Sequence, residues 1–248
     1  MYNMRLWHGD CIKLMEKIPT GSVDLLLVDL PYGTTNCKWD SIIPLKDLWE
    51  AYNRIIKING AMLFHCAQPF TSALIMSNPK FFKYEWIWEK SKATNYLNAK
   101  KQPLRAHESI AVFYRKPCTY NPQMTQGAAY NKGTAKRETN VYGKQVAVEV
   151  KSDGERYPRS VQYCVTAEQE GKLHPTQKPI KLIEYLVSTY SNEEDIVLDN
   201  TMGSGTTGVA CMKLNREFIG IEKEESYFNL AVDRICEAEE GNFSYEVH

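Results

Sequence analysis

The sequence lacks the features that define several large classes of protein. No apolar run in its 248 residues approaches the roughly 20 residues that cross a membrane, and the N-terminus shows no signal-peptide pattern. The seven cysteines are odd in number and contain no C-x-x-C pair, which argues against a disulfide framework or a zinc site. These absences favour a cytoplasmic protein with reduced thiols and no membrane partner.

The chain also lacks net charge, since 30 basic and 30 acidic side chains balance, but the two signs are unevenly distributed. Residues 1–79 carry seven of each sign, whereas residues 80–172 carry 17 basic and nine acidic side chains. Residues 173–248 carry six basic and 14 acidic side chains. A basic central segment in an otherwise neutral or acidic chain is typical of a surface that binds a polyanion. A solvated basic face without a partner is the alternative.

Short apolar runs alternate with helical patterns along most of the chain, which predicts an α/β fold with a doubly wound, mostly parallel sheet. From residue 116 to 171 this periodicity fades and Lys, Arg, Tyr, Asn and Gly become frequent. Part of that segment is expected to stay mobile until a partner orders it. The predicted strands cover residues 23–29, 61–66, 82–88, 108–114, 196–199 and 218–222, and the predicted helices lie near 11–18, 45–56, 70–75, 180–190, 207–214 and 226–235, with an acidic tail after the last.

The segment from residue 196 to 222 has the pattern of a nucleotide-binding unit. A buried strand ends at Asp199, a loop with Gly203 and Gly205 follows, and a helix leads to a strand that ends at Glu222. The glycines permit close approach of a ligand, the helix N-terminus offers unpaired N–H groups, and the last carboxylate can accept ribose hydroxyls. Gly208 supplies a third glycine, so NAD stays open on the glycines alone. Asp199 beside the loop favours a ligand with a positive pole, such as the sulfonium of S-adenosylmethionine.

An earlier strand, residues 23–29, leads into the tetrapeptide Asp-Leu-Pro-Tyr at positions 29–32. This strand would place a carboxylate, a conformationally rigid proline and an aromatic ring at the end of the sheet. The carboxyl ends of parallel strands meet at the ligand-binding edge of such a sheet. We therefore expect residues 29–32, the glycine loop and Glu222 to share one crevice.

These motifs, in this order, resemble the amino-group DNA methyltransferases of the permuted β class. Residues 29–32 are similar to the catalytic D-P-P-Y motif, 174–179 to the motif on the methionine side, and 198–207 to the D-x-F-x-G-S-G-T-T cofactor motif. Leu30 departs from the first proline but keeps the backbone carbonyl that accepts a hydrogen bond. Met202 departs from the usual phenylalanine and is a flexible apolar substitute.

The resemblance implies transfer of a methyl group from S-adenosylmethionine to the N6 amino group of adenine in DNA. Asp at position 29 favours adenine, and the N4 amino group of cytosine is the alternative. An RNA methyltransferase and a non-catalytic DNA-binding regulator also stay open. Residues 1–115 would form the catalytic half, 116–172 a target-recognition insertion and 173–248 the cofactor-binding half. Double-stranded DNA is the expected partner, with a homodimer and a cognate restriction endonuclease as further candidates.

The motifs and the basic segment together indicate the candidate site residues. The Asp29 carboxylate and the Leu30 carbonyl would each accept one amino hydrogen, and the Tyr32 ring would stack on a base extruded from the duplex. If several basic residues contact phosphates, DNA affinity falls steeply with salt. The catalytic candidates are Asp29, Leu30, Pro31 and Tyr32; the cofactor-binding candidates are Asp10, His174, Thr176, Lys178, Asp199, Met202, Gly203, Ser204, Gly205, Thr206, Thr207 and Glu222; the DNA-binding candidates are Trp39, Lys92, Lys100, Lys101, Arg105, Lys132, Lys136 and Arg137.

Overall fold

The computed structural model describes residues 2–33, 41–135, 138–139, 143–144, 148–170, 177–238 and 243–248. The chain divides into two compact units, one formed by residues 1–121 together with 160–248 and the other by residues 122–159. None of the helices in the described ranges has both the length and the apolar character needed to cross a membrane.

Strands and helices alternate along the larger unit, as the sequence predicts. The strands of the described residues are β1 (Tyr2–His8), β2 (Val23–Asp29), β3 (Ile56–Cys66), β4 (Phe82–Thr94), β5 (Arg105–Phe113), β6 (Thr125–Gln126), β7 (Tyr130–Ala135), β8 (Glu138–Thr139), β9 (Gly143–Lys144), β10 (Val148–Ser152), β11 (Glu155–Arg156), β12 (Val161–Cys164), β13 (Ile196–Asp199), β14 (Glu217–Glu222) and β15 (Phe243–Val247). The α-helices are α1 (Cys11–Met15), α2 (Leu45–Ile55), α3 (Phe70–Ser77), α4 (Ile180–Tyr190), α5 (Thr206–Lys213) and α6 (Glu225–Glu237).

A single sheet organises the larger unit, with the strand order β12-β4-β5-β3-β2-β13-β14-β1-β15 among the described residues. Neighbouring strands are parallel except where β5 pairs with β3 and with β4. Helices α4, α5 and α6 contribute to the core on one face of the sheet, and α1, α2 and α3 contribute to the core on the other. The predicted doubly wound, mostly parallel fold is confirmed.

Strand β2 lies near the middle of the sheet, which explains why its sequence is almost continuously apolar. Leu25 and Leu27 are buried in the core on the α4–α6 face, and Leu26 and Val28 are buried in the core on the α1–α3 face. A strand covered on both sides needs apolar residues at every position rather than at alternate ones. The first residue to leave this environment is Asp29, at the carboxyl end.

Two edge strands were not predicted. The stretch after the last helix, expected to be an acidic tail, contains β15, which pairs in parallel with β1. Strand β12 lies in the stretch where periodicity fades, and it pairs in parallel with β4. Val161 is 44% exposed and Tyr163 is 64% exposed in β12, so this strand lacks the apolar run by which the central strands were found.

Strands β4 and β5 form a longer antiparallel hairpin than the sequence predicts. Strand β4 continues to Thr94 and β5 begins at Arg105, and these two residues pair with each other. The predicted helix at 11–18 ends at Met15 instead. The outer part of the hairpin is largely exposed and has no regular apolar alternation, so apolar patterning could not mark its ends.

The unit of residues 122–159 is built from short antiparallel pairs, β7 with β10 and β6 with β11. The Arg156 guanidinium lies 4.6 Å from the centre of the Tyr130 ring and donates a hydrogen bond of 2.7 Å to the Ser152 hydroxyl. Lys132, one of the DNA-binding candidates, is exposed on β7 with its ammonium 5.0 Å from the same ring. Local cation–π and hydrogen-bond contacts therefore order a stretch that has little apolar patterning.

The packing of α5 against α6 and β14 is tight enough to test at Gly208. A Cβ atom there would lie 2.4 Å from Ile235 Cδ1 and 2.9 Å from Phe218 Cε1. We expect Gly208→Ala to lower the free energy of unfolding by about 1–3 kcal/mol, despite the better helix propensity of alanine. Urea denaturation followed by circular dichroism measures this change.

Ile235→Val removes the Cδ1 atom, so it provides the matched control for Gly208→Ala. The double variant should lose less stability than the two single losses added together, because the valine leaves room for the new methyl group. Simple additivity would contradict the contact.

Candidate active site

One crevice forms where β1, β2, β13 and β14 end at the same edge of the sheet. The described residues that line it come from both predicted half-sites. All four residues of the tetrapeptide line it, as do most of the predicted cofactor residues. The crevice is lined by, among others, Asp10, Asp29, Leu30, Pro31, Tyr32, His65, Lys178, Asp199, Asn200, Met202, Gly203, Ser204, Thr206, Thr207 and Glu222.

Asp199 lies at the end of β13 and is 5% exposed. The Thr207 hydroxyl donates a 2.7 Å hydrogen bond to Oδ2, and the backbone N–H of Thr201 donates a 3.2 Å hydrogen bond to Oδ1. Burial raises the pKa of Asp199 to about 7, against the opposing effect of these two donors. The carboxyl group is thus poised to ionise when a positive charge enters the crevice.

Glu222 ends β14 and is held by backbone donors. The N–H of Gly203 donates to Oε2 at 2.9 Å, and the N–H groups of Lys223 and Glu224 donate to Oε1 at 2.8 Å each. Burial raises the pKa of this carboxyl group, and the three N–H groups oppose the rise. The carboxylate is therefore fixed in orientation at the crevice wall, where Oε2, which accepts a single N–H group, keeps a lone pair for a further donor.

The glycine loop before α5 is compact. Gly203 and Gly205 have φ angles of 51° and 75°, a region that favours glycine. A Cβ atom at Gly205 would lie 2.9 Å from the Cβ atom of Ala231, so this residue packs against α6 behind the crevice wall. Met202 is 4% exposed and lines the crevice, with its sulfur 2.3 Å from the place a Cβ atom on Gly220 would occupy. The methionine therefore fits because β14 has a glycine beneath it.

Asp10 has a structural role in addition to its place in the crevice lining. Its Oδ1 atom accepts hydrogen bonds from the N–H groups of Ile12 at 3.1 Å and Lys13 at 3.2 Å. This is an N-cap of α1. The side chain thus fixes the start of the helix that borders the crevice.

Asp29 is held by contacts to both its carboxylate and its backbone carbonyl. The Tyr32 hydroxyl donates a 2.5 Å hydrogen bond to Oδ1, and the Lys178 ammonium forms an ion pair with Oδ2. The Thr201 hydroxyl donates to the backbone carbonyl of Asp29 at 3.2 Å. The Tyr32 ring stacks on Phe70, with ring centres 5.0 Å apart and planes inclined by 28°. Both the carboxylate and the ring are therefore held in place.

The position of Lys178 differs from the sequence-based expectation. We expected it to contact the cofactor, but its Nζ atom pairs with Asp29 and lies 3.7 Å from Oε2 of Glu108. Burial lowers the pKa of Lys178, but Asp29 and Glu108 raise it more, so the group stays protonated. The residues that surround it come from four separate segments, which is why no sequence motif indicated the cluster.

His65 and Glu108 also belong to this cluster. His65 was not predicted, whereas the sequence left Glu108 open as a residue of the base pocket, of the DNA cleft or of a structural ion pair. His65 is 2% exposed and pairs in register with Asp29, and neither ring nitrogen has a hydrogen-bond partner among the described residues. Burial, followed by the charge of Lys178, lowers the pKa of His65 to about 4, so the ring is neutral at pH 7. The order of the strands could have suggested both residues, because β3 and β5 are the neighbours of β2 on that side.

The DNA-binding candidates fall into three groups. Lys92, Lys100, Lys101 and Arg105 are exposed on the β4–β5 hairpin, and Lys132 is exposed in the unit of residues 122–159. Lys92 also pairs with Glu168 at 2.8 Å. The predicted residues that lie outside the described ranges are Trp39, Lys136 and Arg137 of the DNA-binding set and His174 and Thr176 of the cofactor set.

The fold and the crevice define a nucleotide-binding α/β protein with a second, carboxylate-bearing subsite beside the nucleotide loop. A family model for DNA methylases matches residues 23–233. The chain therefore belongs to the amino-group (N6/N4) DNA methylase family, which confirms the resemblance.

Individual relatives agree with this assignment. The Type II methyltransferase M2.LlaDCHI of Lactococcus lactis subsp. cremoris is 27% identical over 262 residues, covering 94% of this chain and 89% of that protein. The solved M1.HpyAVI–SAM complex has a TM-score of 0.65 at 26% identity, covering 94% of this chain and 98% of that one. The cytosine-N4-specific PvuII DNA methyltransferase has a TM-score of 0.67 at 14% identity, covering 99% and 95%, a likeness of fold alone.

The raised pKa of Asp199 predicts how ligand binding depends on pH. Above a pKa of about 7 the carboxylate is ionised and attracts a cationic ligand, and below it the group is neutral. The dissociation constant of S-adenosylmethionine should therefore fall as the pH rises from about 6 to about 7.5. Isothermal titration calorimetry at several pH values measures this, with Asp199→Asn as the control. The variant should bind more weakly with a flatter pH dependence, and an equally steep dependence in the variant would contradict the role of Asp199.

Proposed function

We propose that this protein methylates the N6 amino group of adenine in double-stranded DNA. The cofactor is S-adenosylmethionine, which supplies the methyl group from its sulfonium centre when bound. The observation that carries the proposal is the place of Asp29, whose carboxylate lies in the same crevice as the glycine loop and Glu222. The target base and the cofactor can therefore meet without any movement of the sheet.

The cofactor half of the crevice suits this ligand chemically. Asp199 offers a carboxylate to its cationic groups, and Glu222 offers lone pairs to its ribose hydroxyls. The loop from Met202 to Gly205 leads into α5, whose first N–H groups are available to polar ligand atoms. We assign cofactor binding to these residues and leave Lys178 out of the set.

The catalytic half of the crevice suits an amino group held by two acceptors. An exocyclic amino group is a poor nucleophile because its lone pair is delocalised into the ring. If the Asp29 carboxylate and the Leu30 carbonyl each accept one hydrogen, the lone pair is directed at the methyl group and the developing positive charge is stabilised. The side chain of Leu30 is buried in the core on the α1–α3 face, which anchors that carbonyl without a proline ring.

Tyr32 acts both on the base and on Asp29. Its hydroxyl holds one carboxylate oxygen, and one face of its ring is packed on Phe70. Since Tyr32 also lines the crevice, the other face of the ring is the surface on which an extruded base stacks. Such stacking contributes about 1–3 kcal/mol per base.

Adenine is favoured over cytosine because position 29 is aspartate rather than serine. The same geometry accepts the N4 amino group of cytosine, which is the second candidate, and PvuII methyltransferase is a fold neighbour of that specificity. Incubation with methyl-labelled cofactor and duplex DNA, followed by digestion to nucleosides, separates the two. Labelled N6-methyladenine supports the proposal. Labelled N4-methylcytosine, label in RNA or protein alone, or no label at all would contradict it.

We propose that DNA contacts the exposed basic residues of the β4–β5 hairpin, and that the basic residues of the 116–172 segment also serve DNA binding. We propose residues 1–115 as the catalytic half, 173–248 as the cofactor half and 116–172 as the target-recognition insertion. Lysine and arginine there would hold phosphates, and amide or guanidinium groups would contact base edges. The Type II naming of M2.LlaDCHI makes a cognate endonuclease the partner to seek.

Asp29→Ala tests the catalytic assignment. It removes the amino-group acceptor, so methyl transfer to DNA should fall by about a thousandfold or more, while the cofactor dissociation constant changes by less than about threefold. Tritium incorporation and calorimetry measure the two quantities. Asp47→Ala, on an exposed carboxylate of α2, is the matched control and should change neither. Wild-type rates in Asp29→Ala would refute the mechanism.

A further inference from the structure

The Lys178 ammonium lies between two carboxylates, and only one of them is fully paired. It forms an ion pair with Oδ2 of Asp29. Oε2 of Glu108 lies 3.7 Å from the same Nζ atom, is buried, and has no hydrogen-bond partner among the described residues. Oε1 of Glu108 pairs with the Lys90 ammonium. A buried carboxylate oxygen that lacks a hydrogen-bond donor is costly and marks a place that a donor can enter.

This cluster follows from the registers of adjacent strands. Asp29 on β2 pairs with His65 on β3, which lies beside Ile110 on β5, and Glu108 is two residues before Ile110. Lys90, near the outer end of β4, is the remaining charged residue of the cluster. The two lysines and the two carboxylates balance in charge, and His65 between them is neutral. A movement of the Lys178 ammonium from one carboxylate to the other therefore leaves the net charge of the cluster unchanged.

We propose that Lys178 is the exchangeable counter-ion of Asp29, which it releases to the incoming base by moving to Oε2 of Glu108. The proposal rests on the proposed function and deepens it. Before DNA binds, Lys178 keeps the Asp29 carboxylate paired. When the base amino group donates to Oδ2, the displaced ammonium closes the 3.7 Å separation from Oε2 of Glu108 and donates a hydrogen bond to that oxygen. This also moves a positive charge away from the nitrogen that becomes cationic during methyl transfer.

Lys178 and Glu108 are thus positioning residues, and the proposal differs measurably from a role in cofactor binding. In Lys178→Met, the cofactor dissociation constant should change by less than about threefold, because the cofactor is held elsewhere. The kcat value for DNA should fall about tenfold or more, and the acidic limb of its pH profile should move up by about one unit or more, because the Lys178 charge that lowers the pKa of Glu108 is lost. Lys178→Arg keeps the charge and should return the acidic limb towards the wild-type position.

Glu108→Gln is the second variant, since Lys178→Met leaves two buried carboxylates close together and can weaken folding. It removes the charge that receives the ammonium but keeps Lys178 on Asp29. We expect a higher KM for DNA and a lower kcat, with the acidic limb not moved upward. Cofactor titration calorimetry and labelled-methyl kinetics with the wild type as reference supply all the values.

Two outcomes would overturn this inference. If Lys178→Met weakened cofactor binding tenfold without moving the pH limb, Lys178 would be a cofactor ligand. If Glu108→Gln left KM and kcat unchanged, no exchange with Glu108 would be needed. Neither outcome affects the proposed function, which is tested separately by whether the wild-type protein forms N6-methyladenine in duplex DNA.

A separate observation concerns the tip of the β4–β5 hairpin. Strand β3 ends at Cys66, which pairs with Ser109, so the hairpin from residue 90 to 107 extends past the edge that holds the crevice. The four residue-to-residue steps of strand from 105 to 109 span about 13 Å. The tip is ordered by a turn at residues 96–98, in which the Asn98 amide donates to Oδ1 of Asn95 at 2.9 Å.

The hairpin tip combines exposed apolar side chains with positive charge. Tyr96 is 75% exposed and Leu97 is 84% exposed. Residues 90–107 contain five lysines or arginines and no acidic residue. A polyanion is the partner that such a surface fits, and apolar side chains on a basic projection can enter between stacked bases.

We infer that Tyr96 and Leu97 form a wedge that enters the duplex beside the extruded base. This inference also rests on the proposed function. The test compares two duplexes with the methylated site, mapped beforehand by sequencing, one fully paired and one with the target base mismatched. A mismatched base costs less to extrude, so it needs the wedge less.

The double variant Tyr96→Ala/Leu97→Ala should methylate the paired duplex about tenfold more slowly or worse, and the mismatched duplex at close to the wild-type rate. Met76→Ala, on another exposed apolar residue, is the control and should affect neither substrate. An equal loss of methylation rate on both duplexes would mean that the tip only binds DNA. No loss of rate on either duplex would mean that its contacts are not required. Either result would overturn the wedge.

Discussion

The site depends on the burial of several carboxylates at one edge of a parallel sheet. Asp29, Asp199 and Glu222 end three different strands and line the same crevice. Charged groups that are removed from water must gain hydrogen bonds or opposite charges, or they become neutral. The way in which each of the three carboxylates meets this requirement determines the chemistry it can perform.

The three carboxylates are stabilised in different ways, and each way suits a different task. Glu222 is held by three backbone N–H groups, a fixed arrangement that suits neutral hydroxyls. Asp199 has two neutral donors and a pKa raised to about 7, so a cationic ligand stabilises its charge. Asp29 is paired with a lysine and a tyrosine, and the lysine has a second carboxylate within reach. In the proposed mechanism, Asp29 is the carboxylate that receives and releases a base, and its lysine partner is the one with a second carboxylate nearby.

Sequence-based prediction located the residues of the crevice where these residues are contiguous in the chain. Residues 29–32 and 198–207 are local motifs, and the strands before them are apolar because both faces of the sheet are covered. The prediction therefore found the fold and the two halves of the crevice. Edge strands β12 and β15 were missed because partly exposed strands carry no continuous apolar run.

The charged cluster around Asp29 could not be predicted in this way. Lys178 is 149 residues from Asp29 in sequence, and Glu108 reaches the cluster only through the register of β5 with its neighbours. Lys178 lies in a motif that resembles a cofactor-side sequence, and that motif gave no sign of its ion pairs with Asp29 and Glu108. The register between neighbouring strands decides these contacts, and local sequence periodicity does not encode that register.

The central claim is that an extruded base places its amino group against Asp29 in the crevice shared with the cofactor. A crystal structure of the protein with its DNA site and S-adenosylhomocysteine measures this directly. The account predicts an amino nitrogen about 3 Å from both the Asp29 carboxylate and the Leu30 carbonyl. A target base that is still stacked in the duplex, or one bound away from Asp29, would contradict it.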